Sequence, residues 1–155
     1  MREKLYYRLF SRETRKVPQL FDSVSLEFAP SVKLKLESKD VGHQAIAFCG
    51  FYELELTHNI AALAKQGGVF VDVGANYGYF SCLWAVLNPE NRVIAFEASP
   101  RNILPLRKNI NANNLQSRVE IHDIALGKEA GNLPFSGSSG FKGISKTNGK
   151  GKLII

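Results

Sequence analysis

Cysteine, histidine, tryptophan and methionine are scarce in this 155-residue chain, at two, three, one and one copies. Two cysteines, Cys49 and Cys82, cannot build the disulfide framework of a small secreted scaffold. They read as small apolar packing groups in a reduced compartment, which points to the cytoplasm. His43, His58 and His122 are scattered and share no metal-ligand spacing with the cysteines, so no metal site is expected. Long apolar runs are missing too. Nothing approaches the ~18 consecutive residues that cross a bilayer, and the N-terminus lacks a signal-peptide core. Acid is absent from the last nineteen positions, 137–155, which carry four lysines.

What is present suits one globular domain. Apolar residues make up 45% of the chain, which argues against wholesale disorder. The length allows a real core but is short for a complete nucleotide-type enzyme. The formal charge of +6 is carried by the ends. Residues 1–16 hold six cations against two acids, and residues 17–136 hold ten cations against twelve acids. Basic ends can bind nucleic acid, but solvated termini are the commoner explanation.

The first part of the chain predicts a short helix over residues 2–10 and strands over 24–28 and 32–37. Ala29, Pro30 and Ser31 read as the hairpin turn between those strands. Asp40 is an N-cap for a short helix ending near Gly50. A helix over residues 52–65 follows, with Leu56, Ile60, Leu63 and Ala64 expected on its buried face and Gly67-Gly68 as its stop.

From there the rhythm is strand, turn, helix. Residues 69–73, 92–97 and 118–122 predict strands, and 79–87 a helix. Ser99-Pro100 opens another helix, with Pro at N1. Pro105 is expected to distort its first turn, leaving regular helix from about Leu104. Strands alternating with helices imply right-handed βαβ units and a parallel sheet. The sequence then turns rich in Gly, Ser, Asn and Lys and ends on Leu153, Ile154 and Ile155, which read as a strand cut short.

Residues 70–80, FVDVGANYGYF, raise the functional question. Glycine and asparagine where a strand must turn are explained by backbone conformation alone. They are equally explained by a ligand site at the carboxyl end of a strand, where open α/β sheets bind small molecules. Three carboxyl ends bear on the choice: Asp72 with Gly74, then Glu97, then Asp123. In a sheet of order 3-2-1 they neighbour one another along one crevice. A carboxylate ending the second strand can accept both hydroxyls of a ribose, and one ending the third can accept an adenine amino group. G-A-N-Y-G lacks the G-x-G-x-x-G spacing that holds a pyrophosphate. An acid two residues ahead of Gly74 suits the cationic S-adenosylmethionine instead.

VFVDVGANYGYFS, then VIAFEASPRNILPLRKNINANN, then VEIHDIALGKEAGNLPF together resemble the FkbM-type methyltransferases, over roughly residues 50–135. The resemblance implies an α/β, Rossmann-like class I methyltransferase with a parallel 3-2-1 sheet and helices on both faces. Its C-terminal half would be incomplete, because the D-x-E-G strand usual in that family is missing. Residues 1–50 would be an N-terminal extension of short helix, β-hairpin and short helix. Residues 51–136 would be the S-adenosylmethionine-binding core, and 137–155 a Gly/Ser/Lys-rich loop with the start of a further strand. Asp72, Gly74, Ala75, Asn76, Tyr77 and Gly78 would line the methionine and ribose side. Glu97 would hold the ribose hydroxyls, Asp123 and Ile124 would flank the adenine, and Glu53 would close over the cofactor. The implied reaction is methyl transfer to a hydroxyl of a small molecule or glycan. RNA methylation and a non-catalytic adenosine-binding remnant are the alternatives, and no residue stands out as a general base. A bare edge beside the first strand of the sheet would make a dimer contact.

Overall fold

A computed structural model describes residues 4–5, 21–128, 131–133 and 151–154. Of the helix predicted over residues 2–10, Lys4 and Leu5 are described, and both are helical. The rest of that helix lies outside the described residues.

The N-terminal hairpin pairs β1 (Val24–Leu26) antiparallel with β2 (Ala29–Leu34). Its turn falls at Glu27 and Phe28, two residues earlier than predicted, and Ala29, Pro30 and Ser31 lie in the strand. The register shifts between Ser25 and Leu26, and this irregularity takes up Pro30, which has no N–H for a ladder. Val24, Leu26, Val32 and Leu34 all point into the core.

Helix α1 (Val41–Cys49) starts and stops where its caps predict. The Asp40 carboxylate accepts from the His43 N–H at 3.0 Å, and Gly50 closes the helix at φ 80°. Helix α2 (Leu54–Ala64) buries Thr57, Ile60, Ala61 and Ala64. Ile60 and Ala64 are buried as expected, whereas Leu56 and Leu63 are exposed, at 43% and 54%. Three of the four positions of this i, i+3, i+4, i+7 stripe are small, Thr57, Ala61 and Ala64, and they let α2 approach α3 (Tyr79–Leu87) closely.

The central sheet is parallel, in the order β3 (Val69–Val73), β4 (Arg92–Phe96), β5 (Val119–His122). This is the expected 3-2-1 arrangement. Helix α3 follows β3, and α4 (Pro100–Ala112) follows β4. Helix α4 runs from Pro100 through Pro105, without the late start predicted for it. Among the described residues, helices pack on one face of the sheet. Phe70 stacks on Trp84 of α3 with ring centroids 5.1 Å apart. Val93, Ala95 and Val119 lie beneath the same layer. On the other face Val69, Val71 and Val73 are more than half exposed. Helices on both faces were expected because β3 reads as a nearly continuous apolar run; in the structure one face of it is covered.

Three short strands form a second sheet, β6 (Ala125–Leu126), β8 (Gly151–Ile154) and β7 (Gly131–Leu133), with β8 in the middle. Leu153 and Ile154 pair there, and among the described residues no strand pairs with the other edge of β3.

Candidate cofactor site

The turn after β3 is held mostly by its own chain. Gly74 and Ala75 both donate to the Phe96 carbonyl, at 2.8 and 3.0 Å. The Gly78 N–H donates to the Ala75 carbonyl at 2.8 Å, and the Asn76 N–H to Glu97 Oε2 at 2.7 Å. A phosphate cradle needs such amides free and convergent. Here four of the five point into the protein, so this turn is no pyrophosphate nest.

The two glycines do different work. Both have positive φ, 83° at Gly74 and 87° at Gly78. A Cβ on Gly78 would lie 2.8 Å from Leu106 Cδ1, so that glycine lets α4 pack against the start of α3. A Cβ on Gly74 would meet nothing within 4 Å. Gly74 opens onto free space, and Asn76, at φ 51°, is exposed beside it.

Glu97 follows directly on β4 and is 7% exposed. Its Oε1 accepts from the Ser99 N–H and its Oε2 from the Asn76 N–H, each at 2.7 Å. The carboxylate therefore bridges two turns, the one after β3 and the one opening α4. Each oxygen keeps a second lone pair for a further donor. That is the arrangement a diol needs: an acid fixed in place before the ligand arrives.

Asp72 lies beneath the turn. Alternation along β3 puts it on the helix-covered face, where its carboxylate accepts from the Ser81 hydroxyl at 2.5 Å. Only 7% of it is exposed. Burial pushes its pKa up from the ordinary 3.8, against the Ser81 hydrogen bonds that pull it down. In this structure it joins β3 to α3 beneath the turn.

Ala75 is buried, and Tyr77 is half-buried with its ring centroid 4.5 Å from that of His43. Burial lowers the His43 pKa, with Asp40 and Glu37 opposing, and its Nδ1 accepts the Glu37 N–H at 2.9 Å. Asp123 is exposed and Ile124 half-buried in the loop between β5 and β6. The Glu97 N–H donates to the His122 carbonyl, one residue before Asp123, at 3.0 Å. The three strand ends are thus consecutive along one sheet edge.

Glu53 is exposed and sits at φ 44°, ψ 75°, a left-handed conformation unusual for glutamate. A buried group on either side holds it there. Thr57 Oγ1 bonds the Tyr52 carbonyl, Tyr79 Oη accepts the Tyr52 N–H at 3.2 Å, and the Thr57 N–H reaches the Glu53 carbonyl at 2.9 Å. Tyr79 is the first residue of α3, so the Glu53 segment is fastened to the same helix that leaves the glycine turn.

Sequence reasoning missed Ser81, Ser99, Thr57 and Asn109, all of which contact these residues through partners distant in sequence or through backbone. Ser99 was singled out only as a helix cap; its N–H bond to Glu97 is the added role. Burial raises the Cys82 thiol to about 12, leaving it inert at neutral pH. A cavity of about 200 Å³ between α4 and β5, lined by Arg107, Ile110, Asn111, Gln116, Val119 and Ile121, shares no residue with the turn. Among the described residues no group of His, Cys, Asp and Glu could hold a metal ion, and no helix is long and apolar enough to cross a membrane.

Comparison with known proteins gives a family match, a curated relative and similar solved structures. Residues 44–127, more than half of the chain, match the family model described as the TRM5/TYW2 methyltransferase domain. A curated relative, Methyltransferase 1 of Beauveria bassiana, is 27% identical over 136 residues, covering 84% of this chain and 50% of its own length. Among solved structures, a transferase of Pyrococcus horikoshii aligns over 66% of this chain and 36% of its own, at 24% identity and a TM-score of 0.51. That likeness is one of fold. The TYW2 protein of Pyrococcus horikoshii, solved in complex with MeSAdo, aligns over 61% of this chain and 33% of its own, at 26% identity and a TM-score of 0.47. The chain thus spans half the length of the curated relative. The matched family is a methyltransferase family, though not the FkbM-type family by name.

Proposed function

The chain belongs to the TRM5/TYW2 methyltransferase domain family, whose members depend on S-adenosylmethionine, and we propose that it transfers a methyl group to a hydroxyl of a small molecule or glycan. One observation carries the cofactor half of this reading. The Glu97 carboxylate is held by two backbone amides beside a glycine, Gly74, whose missing side chain faces open space. When bound, S-adenosylmethionine supplies a methyl group on a cationic sulfur. Glu97 would accept the ribose hydroxyls, Gly74 would leave room for the ligand against the backbone, and Asp123 with Ile124 would flank the base. Glu53, in a segment fastened to α3, would close over the cofactor. The protein's task is to align the acceptor and exclude water, which is catalysis by proximity.

The FkbM-type resemblance favours a hydroxyl as acceptor. A nucleic-acid acceptor is the second reading, favoured by residues 98–118, which hold four cations and no acid. A steep loss of RNA affinity with added salt would support that acceptor, and a flat one would remove it.

Calorimetric titration with S-adenosylmethionine and S-adenosylhomocysteine tests the site. Two charge-assisted hydrogen bonds to a diol contribute about 1.5–3 kcal/mol each. Glu97→Ala is therefore expected to weaken binding at least tenfold, taking about 1.4 kcal/mol per decade. Glu97→Gln should lose less, and Gly74→Val should abolish binding by filling the open space. A folded Glu97→Ala protein that binds like wild type would refute the ribose assignment.

A further inference from the structure

Two asparagines four residues apart, Asn109 on α4 and Asn113 at its C-terminal cap, dock the N-terminal hairpin, and Asn109 also reaches the cofactor turn. Asn113 Nδ2 donates to the Lys33 carbonyl at 2.8 Å, and its Oδ1 accepts the Lys33 N–H at 2.9 Å. Asn109 treats Lys35 in the same way, at 3.1 and 2.8 Å. A carboxamide offers the same donor and acceptor as a peptide group, so the pair imitates a neighbouring strand along the β2 edge. The difference lies in the second Nδ2 hydrogen. In Asn113 it goes to the Asn109 carbonyl at 2.8 Å, within the helix. In Asn109 it goes to the Tyr77 carbonyl at 2.9 Å.

That carbonyl lies between two left-handed residues, Asn76 at φ 51° and Gly78 at φ 87°. The Tyr77 carbonyl and the Gly78 N–H belong to one rigid peptide plane. The N–H end is tied to the Ala75 carbonyl at 2.8 Å, and the oxygen end to Asn109. Pinned at both ends, the plane holds the strained Asn76 backbone, whose N–H donates to Glu97 Oε2. Asn109 is itself 1% exposed and packed, so it can hold the plane without moving.

We propose that Asn109 is the positioning residue of the cofactor turn. Its amide fixes the Tyr77–Gly78 peptide, and through it the Asn76 N–H that orients Glu97, while Asn113 serves hairpin docking alone. The inference rests on the reading of Glu97 and the turn as the S-adenosylmethionine site.

The test compares Asn109→Ala and Asn109→Asp with Asn113→Ala, by titration with S-adenosylhomocysteine and by thermal unfolding. All three variants lose hairpin contacts and should melt earlier than wild type. Both Asn109 variants should bind at least tenfold more weakly, and Asn113→Ala within twofold of wild type. Folded Asn109 variants that bind as Asn113→Ala does would overturn the proposal. Should neither Asn109 variant fold, the wild type decides by NMR. S-adenosylhomocysteine should then shift the Asn109 carboxamide signals and slow exchange of the Asn76 amide, leaving the Asn113 carboxamide in place. Equal response of the two carboxamides would refute the assignment. A wild type that binds no S-adenosylhomocysteine overturns the cofactor reading itself, and this inference with it, which is a different result from tight binding by the variants.

Discussion

The two faces of the central sheet are made of similar residues and live in different surroundings. One face presents Phe70 and Asp72 on β3, Val93 and Ala95 on β4, and Val119 and Ile121 on β5, beneath α3 and α4. The other presents Val69, Val71 and Val73, at 62%, 52% and 61% exposure, then Ile94 and Phe96, then Glu120 and His122. Parallel sheets are ordinarily buried on both faces. An apolar strand thus says that both faces are fit for burial, and the helices decide which one receives it. The covered face is also where the site is braced. Ser81 bonds Asp72 under the turn, and Leu106 packs against Gly78.

The largest contrast should come from truncating side chains on either side. Leu83 of α3 is fully buried, so Leu83→Ala should cost about 2–5 kcal/mol through lost burial and a cavity. Val71→Ala on the open face should stay within about 0.5 kcal/mol. Urea unfolding measures both, and comparable losses would mean that the valine face is covered in solution.

A smaller effect is expected at the one acid of the covered face. Burial raises the Asp72 pKa above its ordinary 3.8, so the folded chain holds that proton more tightly than the unfolded chain does. Its contribution to stability is therefore best below the ordinary value and declines as pH rises through the raised one. Asp72→Asn keeps an acceptor for Ser81 and removes this slope. Its melting temperature should exceed that of wild type near neutral pH, and the two should converge at low pH. A constant difference at every pH would show that burial of the charge is not what distinguishes them.

The smallest change in stability, with a separate readout, belongs to the open face. A β3 edge that no described strand pairs, flanked by exposed valines, is a template for self-association. Val69→Thr combined with Val71→Lys should leave the unfolding midpoint nearly unchanged and reduce association seen by light scattering. A wild type that is monomeric over a wide concentration range would remove this role from the valine face.

Much of the architecture was legible because it is written locally. The Asp40 cap, the Gly50 stop, the strand Val69–Val73, the helix Tyr79–Leu87 and Pro100 at N1 depend on neighbours within a few residues. The parallel 3-2-1 order follows from alternation of strand and helix with right-handed crossovers. Glu97 was legible as well, as an acid ending an apolar strand in need of partners. The hairpin turn was misplaced because a bulge absorbs Pro30, and a bulge is a property of two paired strands. On α2, Ile60 and Ala64 were placed correctly and Leu56 and Leu63 were not, because close helix packing favours alanine and threonine over the leucines that dominate a hydrophobicity pattern.

The sequence by itself determined which segments are strands and helices, their order, and the acids and glycines at the carboxyl ends. Tertiary structure alone decided where those groups aim. It turned Asp72 beneath α3, gave the Glu97 oxygens to Asn76 and Ser99, and brought Asn109 to Lys35 and Tyr77, 74 and 32 residues away. The reason is physical. Secondary structure answers to dihedral preference and periodicity within one turn or strand, whereas a buried polar side chain must find its partner wherever packing has left one unsatisfied.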